Sequence, residues 1–159
     1  MTAHDIVVEA TYPQPIWQVW HALTDRAALG TWLMPNDFEA RVGHRFTFQV
    51  GPQHGWNGIV QCQVIKLVAP HCVAYTWRSG LDQPETIVTF TLESHGEGTF
   101  LRLEHAGFEP DNNQKFSLLD ILGSGWNTKL LRKNLPAFLR QESAQWNKVP
   151  AIIQEGNRL

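Results

Sequence analysis

Cysteine is scarce in this chain: Cys62 and Cys72 are the only two among 159 residues. Two thiols do not make a disulfide scaffold, and in a reducing compartment both read as buried free thiols. A metal site is not indicated either. Cys62, His71, Cys72, His95 and His105 lack the short paired spacing of structural zinc ligands, and adjacent residues such as His71 and Cys72 point to opposite faces of a strand. Charge is sparse too, at 18% of residues with a formal net charge of −2. That argues against a nucleic-acid or anionic-membrane surface, which needs a clustered basic stripe. No apolar run approaches the roughly 20 residues that span a bilayer, so membrane insertion is not expected. The opening MTAHDIVVEATYPQP lacks the basic-then-apolar layout of a signal peptide, which makes the cytoplasm the expected location. No phosphate-cradling loop is seen, because the run from Gly51 to Gly55 lies between strands and not before a helix. Gly123-Ser124-Gly125 is too short for a nucleophile elbow and follows no strand. Nothing in these patterns implies a cofactor.

What the chain has is aromatic bulk. Seven tryptophans stand in a sequence that is 43% hydrophobic, and 159 residues are enough for one domain with a single sizeable core. Residues 6–12 alternate as a strand. Pro13 and Pro15 break it and can open a helix carrying Ile16, Trp17, Val19, Trp20 and Leu23. Thr24-Asp25 can cap a second short helix through Ala27, Ala28, Leu29 and Trp32. Five alternating segments follow, at 45–50, 58–67, 71–78, 86–92 and 98–105. Their spacing and short turns predict an antiparallel meander. One face holds Phe46, Phe48, Val73, Tyr75, Trp77, Val88, Phe90, Leu92, Leu101, Leu103 and His105; the other is largely Thr, Gln, Arg and Glu. A sheet apolar on one face must be covered there.

The only cover long enough is the stretch 116–140. Leu119, Leu122, Trp126 and Leu130 recur at helical spacing, and Asp111 with Gln114 resembles a capping box. Gly123 and Gly125 weaken the helix or bend it to seat Trp126, and Pro136 should kink or stop it. After Trp126 the apolar face passes to Leu130, Leu131, Leu135 and Phe138, which leaves Asn127 and Asn134 near its middle. An unpaired buried amide costs about 1–3 kcal/mol, so both amides call for partners. The expected fold is α+β: a curved antiparallel sheet of about six strands wrapped around a long C-terminal helix, with two short helices after the first strand. Residues 1–142 form the single domain, and 143–159 a C-terminal extension.

Particular residues carry a resemblance. Val19-Trp20-His-Ala-Leu-Thr-Asp25, Leu29-Gly-Thr-Trp32, Val42-Gly43, Gly58-Ile-Val60, Pro70 before Val73-Ala-Tyr75-Thr-Trp77, Gly98-Thr99, His105-Ala-Gly107-Phe108 and Gly125-Trp126 occur in this order. Over about residues 6–140 the chain resembles the START-like (birch-pollen-allergen-like, SRPBCC) superfamily, of helix-grip fold. Within it, the chain resembles the bacterial homologues of the heat-shock protein 90 ATPase activator. The resemblance implies an apolar cavity between sheet and C-terminal helix, used for lipids, polyketides or other hydrophobic molecules.

The first functional reading is therefore binding of a hydrophobic or aromatic small molecule. Trp32, Phe48, Tyr75, Trp77, Phe90, Leu103, Trp126 and Leu130 would form the wall, with Tyr75, His105, Asn127 and Asn134 giving directional contacts. A tightly packed tryptophan-rich core explains the same pattern, and the sequence leaves both open. The second reading is an aromatase/cyclase-like enzyme of the kind acting on polyketides, with His105 as acid or base; it needs a carboxylate or tyrosine within reach. Against it stands a neutral His105 that merely fixes the strand-to-loop turn. A third is a protein-interaction module related to chaperone regulation, which needs an exposed apolar patch on the open face. The polar content of that face speaks against one, and 159 residues leave no room for the extra N-terminal domain of the eukaryotic co-chaperones. A homodimer through that face or the tail stays open.

Overall fold

The computed structural model describes residues 5–51, 57–80, 85–107 and 125–146; at 125, 127, 128 and 144–146 only the backbone is described. The expected cap at Asp111 and Gln114, and the positions Leu119, Leu122 and Gly123, lie outside them.

The order of elements is β1 (Ile6–Tyr12), α1 (Ile16–Thr24), α2 (Arg26–Trp32), β2 (Arg45–Gln49), β3 (Ile59–Val68), β4 (Cys72–Trp77), β5 (Thr86–His95) and β6 (Gly98–Ala106). A π-helical segment, Gly125–Asn134, then runs directly into α3, Leu135–Trp146. The six strands form one antiparallel sheet in the order β1-β6-β5-β4-β3-β2. Along β1 the side chains alternate strictly between buried and exposed, because successive residues of a strand face opposite sides. The buried face of the sheet meets α1, α2 and the C-terminal helix in one continuous core. This is the helix-grip arrangement.

Local chemistry explains the short helices. Pro15 stands just before α1, where its fixed φ suits the first turn. Asp25 separates the two helices and caps α2, its Oδ2 accepting from the Ala28 amide at 3.0 Å. Val19, Trp20, Ala22 and Leu23 of α1 and Ala28, Leu29 and Trp32 of α2 are buried.

Backbone packing requires glycine at two of the positions noted in the sequence. A Cβ on Gly98 would run into the Tyr12 carbonyl, where β6 begins beside the end of β1. Gly58 has φ +79°, and its Cβ would strike the Gly51 carbonyl. Gly98→Ala should lower stability by about 1–3 kcal/mol, as overpacking does in cores. Urea denaturation of the two proteins measures it.

The C-terminal helix departs from the expected plain α-helix. Among its described side chains the buried ones are Trp126, Leu131, Leu135 and Leu139, and the step from Trp126 to Leu131 is five residues, the spacing of i→i+5 hydrogen bonding. Pro136 neither stops the helix nor ends it nearby, since α3 continues to Trp146. The reason is positional. Pro136 is the second residue of α3, where the π segment passes into α-helix and the hydrogen-bond register changes. In the π register it would face the Leu131 carbonyl, five residues back. That carbonyl instead accepts from the Tyr12 hydroxyl at 2.6 Å. Three more bonds fix the helix over the sheet. Arg132 Nη2 donates to the Glu9 carbonyl of β1 (3.0 Å), Asn134 Nδ2 to the Trp32 carbonyl ending α2 (3.2 Å), and Gln18 Nε2 to Ser143 Oγ (2.7 Å). No helix of the described residues is long and apolar enough to cross a membrane.

Candidate functional site

The inner face of the sheet gathers its aromatic residues because each lies at an even spacing from the next along its strand. Phe46 and Phe48 come from β2, Tyr75 and Trp77 from β4, Phe90 from β5, and Trp126 descends from the π segment. The rings form a chain of contacts: Phe46–Tyr75 at 5.2 Å, Phe48–Trp77 at 5.6 Å, Trp77–Trp126 at 5.6 Å and Phe90–Trp126 at 5.9 Å between centroids. These are edge-to-face and tilted contacts of the kind aromatic pairs favour. Trp32, Phe48, Tyr75, Trp77, Phe90, Leu103, His105 and Trp126 are all buried, and Leu130 packs half-buried against them. Asn134 is half-buried and spends its amide on Trp32, as above. The side chain of Asn127 lies outside the described residues. Trp32 is tied into the helical layer, its Nε1 donating to the Ala22 carbonyl at 2.8 Å.

His105 sits at the centre of a polar chain inside this apolar wall. The Thr86 hydroxyl donates to the Trp77 carbonyl at 2.9 Å, so it offers a lone pair to His105 Nε2 at 2.7 Å. On the other side Trp126 Nε1 donates to His105 Nδ1 at 3.2 Å. Indole is a donor only. The ring is therefore the neutral tautomer with its proton on Nε2, and each nitrogen has a partner. Burial pushes its pKa down from 6.5 to about 3, since a desolvated imidazolium is unfavourable. Such a ring holds β5, β6 and the helix together. At neutral pH its Nε2 proton is committed to Thr86 and its Nδ1 lone pair to Trp126.

Tyr75 is the opposite case. It is fully buried among Phe38, Phe46, Phe48 and Phe90, with centroids 5.2–6.4 Å away. Its hydroxyl has no hydrogen-bond partner among the described residues. Burial raises the phenol well above its ordinary pKa of 10.0, so the hydroxyl stays protonated and can donate. A buried unpaired hydroxyl costs on the order of 1–3 kcal/mol. Tyr75→Phe should accordingly stabilise the free protein by about 1–2 kcal/mol, read from its denaturation midpoint.

Thr86 and Phe38 were missed in the sequence. Thr86 had a signal: it lies two residues before Val88 and shares the inward phase of Val88, Phe90 and Leu92. Phe38 had none, because it lies in an irregular segment. Its position comes from the Asn36 side chain, which accepts from the Phe38 amide at 3.0 Å, and from the bridge between Asn36 and Phe48.

The family described as activator of Hsp90 ATPase homolog 1-like protein matches residues 13–139, from the end of β1 to Leu139 of α3. The chain belongs to this family. Among solved structures, protein MLL2253 from Mesorhizobium loti is 32% identical, with 86% of this chain and 97% of that one covered and a TM-score of 0.75. CalU16 from Micromonospora echinospora is 26% identical, with 86% and 74% covered and a TM-score of 0.68. Bacillus halodurans protein BH1534 is 27% identical, with 87% and 99% covered and a TM-score of 0.71. No curated protein sequence matches. The matched span of the activator-homologue family contains His105, Thr86, Trp126 and the aromatic residues of β2, β4 and β5.

Proposed function

We propose that this member of the activator-homologue family binds a hydrophobic or aromatic small molecule at the inner face of the sheet, beneath the C-terminal helix. The observation that carries the reading is the Tyr75 hydroxyl, fully buried and unpartnered among the described residues. A core with no task beyond packing would gain by having phenylalanine there. A ligand oxygen or nitrogen beside Tyr75 satisfies the hydroxyl, and Phe48, Trp77, Phe90 and Trp126 supply apolar contact at about 25 cal/mol per Å² buried. The cover over these rings is the π segment Gly125–Asn134, and π turns occur often at functional sites. An acid–base enzyme is the weaker reading, because both nitrogens of His105 are engaged and its pKa is far below neutrality.

The test is a screen of the intact protein with lipophilic probes, including 2-naphthol and dodecanoate. Binding should raise the melting temperature and move the amide peaks of Tyr75, Phe90 and Trp126 together. A panel that moves none of these peaks removes the reading.

A further inference from the structure

The outer face of the sheet carries a second candidate site, across the sheet from the aromatic wall, with Phe46 and Cys62 also in its lining. The ladder between β2 and β3 pairs Arg45 with Gln63 and Thr47 with Gln61. Gln61 bridges on to Arg78, just past the end of β4, exchanging two backbone hydrogen bonds at 2.9 and 3.0 Å. One step along, the Gln63 amide bonds to the side-chain hydroxyl of Thr76 at 2.9 Å. These six residues line an open groove of about 400 Å³. Asp37 stands on one rim, its Oδ1 accepting from the Thr47 amide at 2.7 Å, and Glu85 also lines the groove.

Arg78 makes this groove more than a surface depression. Among the described residues its buried Nε has no hydrogen-bond partner, and neither Arg78 nor Arg45 has an ion pair. Arg102, elsewhere on the same sheet face, pairs with both Glu9 and Glu104. A guanidinium presents its Nε–H and one Nη–H as a planar fork matching the two oxygens of a carboxylate. A buried donor of this kind is costly until an acceptor arrives. The groove's two cations, Arg45 and Arg78, are balanced by Asp37 and Glu85. With its charges balanced the groove offers a dianion little net attraction, whereas a single carboxylate on Arg78 leaves the smaller surplus of negative charge. Gln61, Gln63, Thr47 and Thr76 add amide and hydroxyl groups suited to a polar body.

We infer that this groove binds a small polar monocarboxylate, with its carboxylate held by the Arg78 guanidinium and its hydroxyl or amine groups by the glutamines and threonines. Sodium gluconate is the probe, added to the ¹⁵N-labelled full chain at constant ionic strength, with sodium chloride and inorganic phosphate as separate arms. The Arg78 Nε–Hε cross-peak and the Gln61 and Gln63 amides should shift saturably with gluconate, and not with chloride. Phosphate should bind at least several-fold more weakly. R78Q should reduce gluconate affinity at least tenfold and R78K by an intermediate factor, while R102Q leaves it unchanged. Both Arg78 variants keep the main-chain bridge to Gln61, and their spectra report folding directly. The inference is overturned by a gluconate titration that leaves the Arg78 signal in place, by phosphate binding as well as gluconate, or by affinity that survives R78Q. Equal loss in R102Q would show general charge attraction and overturn it too.

Discussion

Exchanging His105 for glutamine should remove most of a steep acid dependence of stability that the native chain shows between pH 6.5 and about 3. The sign follows from the depressed pKa. In the unfolded chain the imidazole takes up a proton near 6.5, whereas in the folded protein it resists protonation until about pH 3. Between these values the unfolded state binds more protons, so stability is complete above 6.5 and falls as the pH drops through the window. The slope approaches about 1.4 kcal/mol per pH unit, on the order of 4 kcal/mol over the whole window. Glutamine is the apt replacement because its amide can accept from Trp126 and donate to Thr86, yet does not titrate. Urea denaturation at pH 7, 5.5 and 4.5 compares the two slopes. Equal slopes would mean that His105 is not the buried neutral ring described above.

Trp126→Ala should be the most damaging single truncation in the helix, at about 3–5 kcal/mol. The indole is 1% exposed and meets Trp77, Phe90 and His105. It also supplies the donor that satisfies His105 Nδ1. Alanine therefore opens a cavity and leaves a buried acceptor without that donor, two penalties that add. Trp126→Phe should cost less, about 1–2 kcal/mol, since it keeps most of the ring volume and loses the N–H. Calorimetry of the three proteins separates the volume effect from the hydrogen bond. An alanine variant close to the wild type would show that the π segment is not held by this residue.

Much of the fold was legible because strands and one-faced sheets write a period of two into the sequence. Leu101, Leu103 and His105 fall on the inner face for that reason alone, and Thr86 shares the phase of Val88 and Phe90. The capping of α2 by Asp25 was likewise readable from residue type. The π segment was not. Its five-residue step from Trp126 to Leu131 exists where Tyr12, 119 residues away in sequence, takes the Leu131 carbonyl that Pro136 cannot serve. Local pattern alone predicts a break at that proline, and the tertiary bond carries the chain through it. The engagement of His105 by Thr86 and Trp126 and the solitude of the Tyr75 hydroxyl are also three-dimensional facts. Sequence places such groups on a face and says nothing about what meets them there.

The central claim is that the inner face is a ligand site whose signature is the unpartnered Tyr75 hydroxyl. Its most direct measurement is a titration of 2-naphthol into the native protein and Tyr75→Phe, with the melting temperature of each recorded in parallel. The two effects should have opposite signs: the phenylalanine variant melts higher when free and binds the naphthol about tenfold more weakly, the worth of one hydrogen bond. A variant that melts lower than the native protein, or naphthol binding that ignores the substitution, would contradict it.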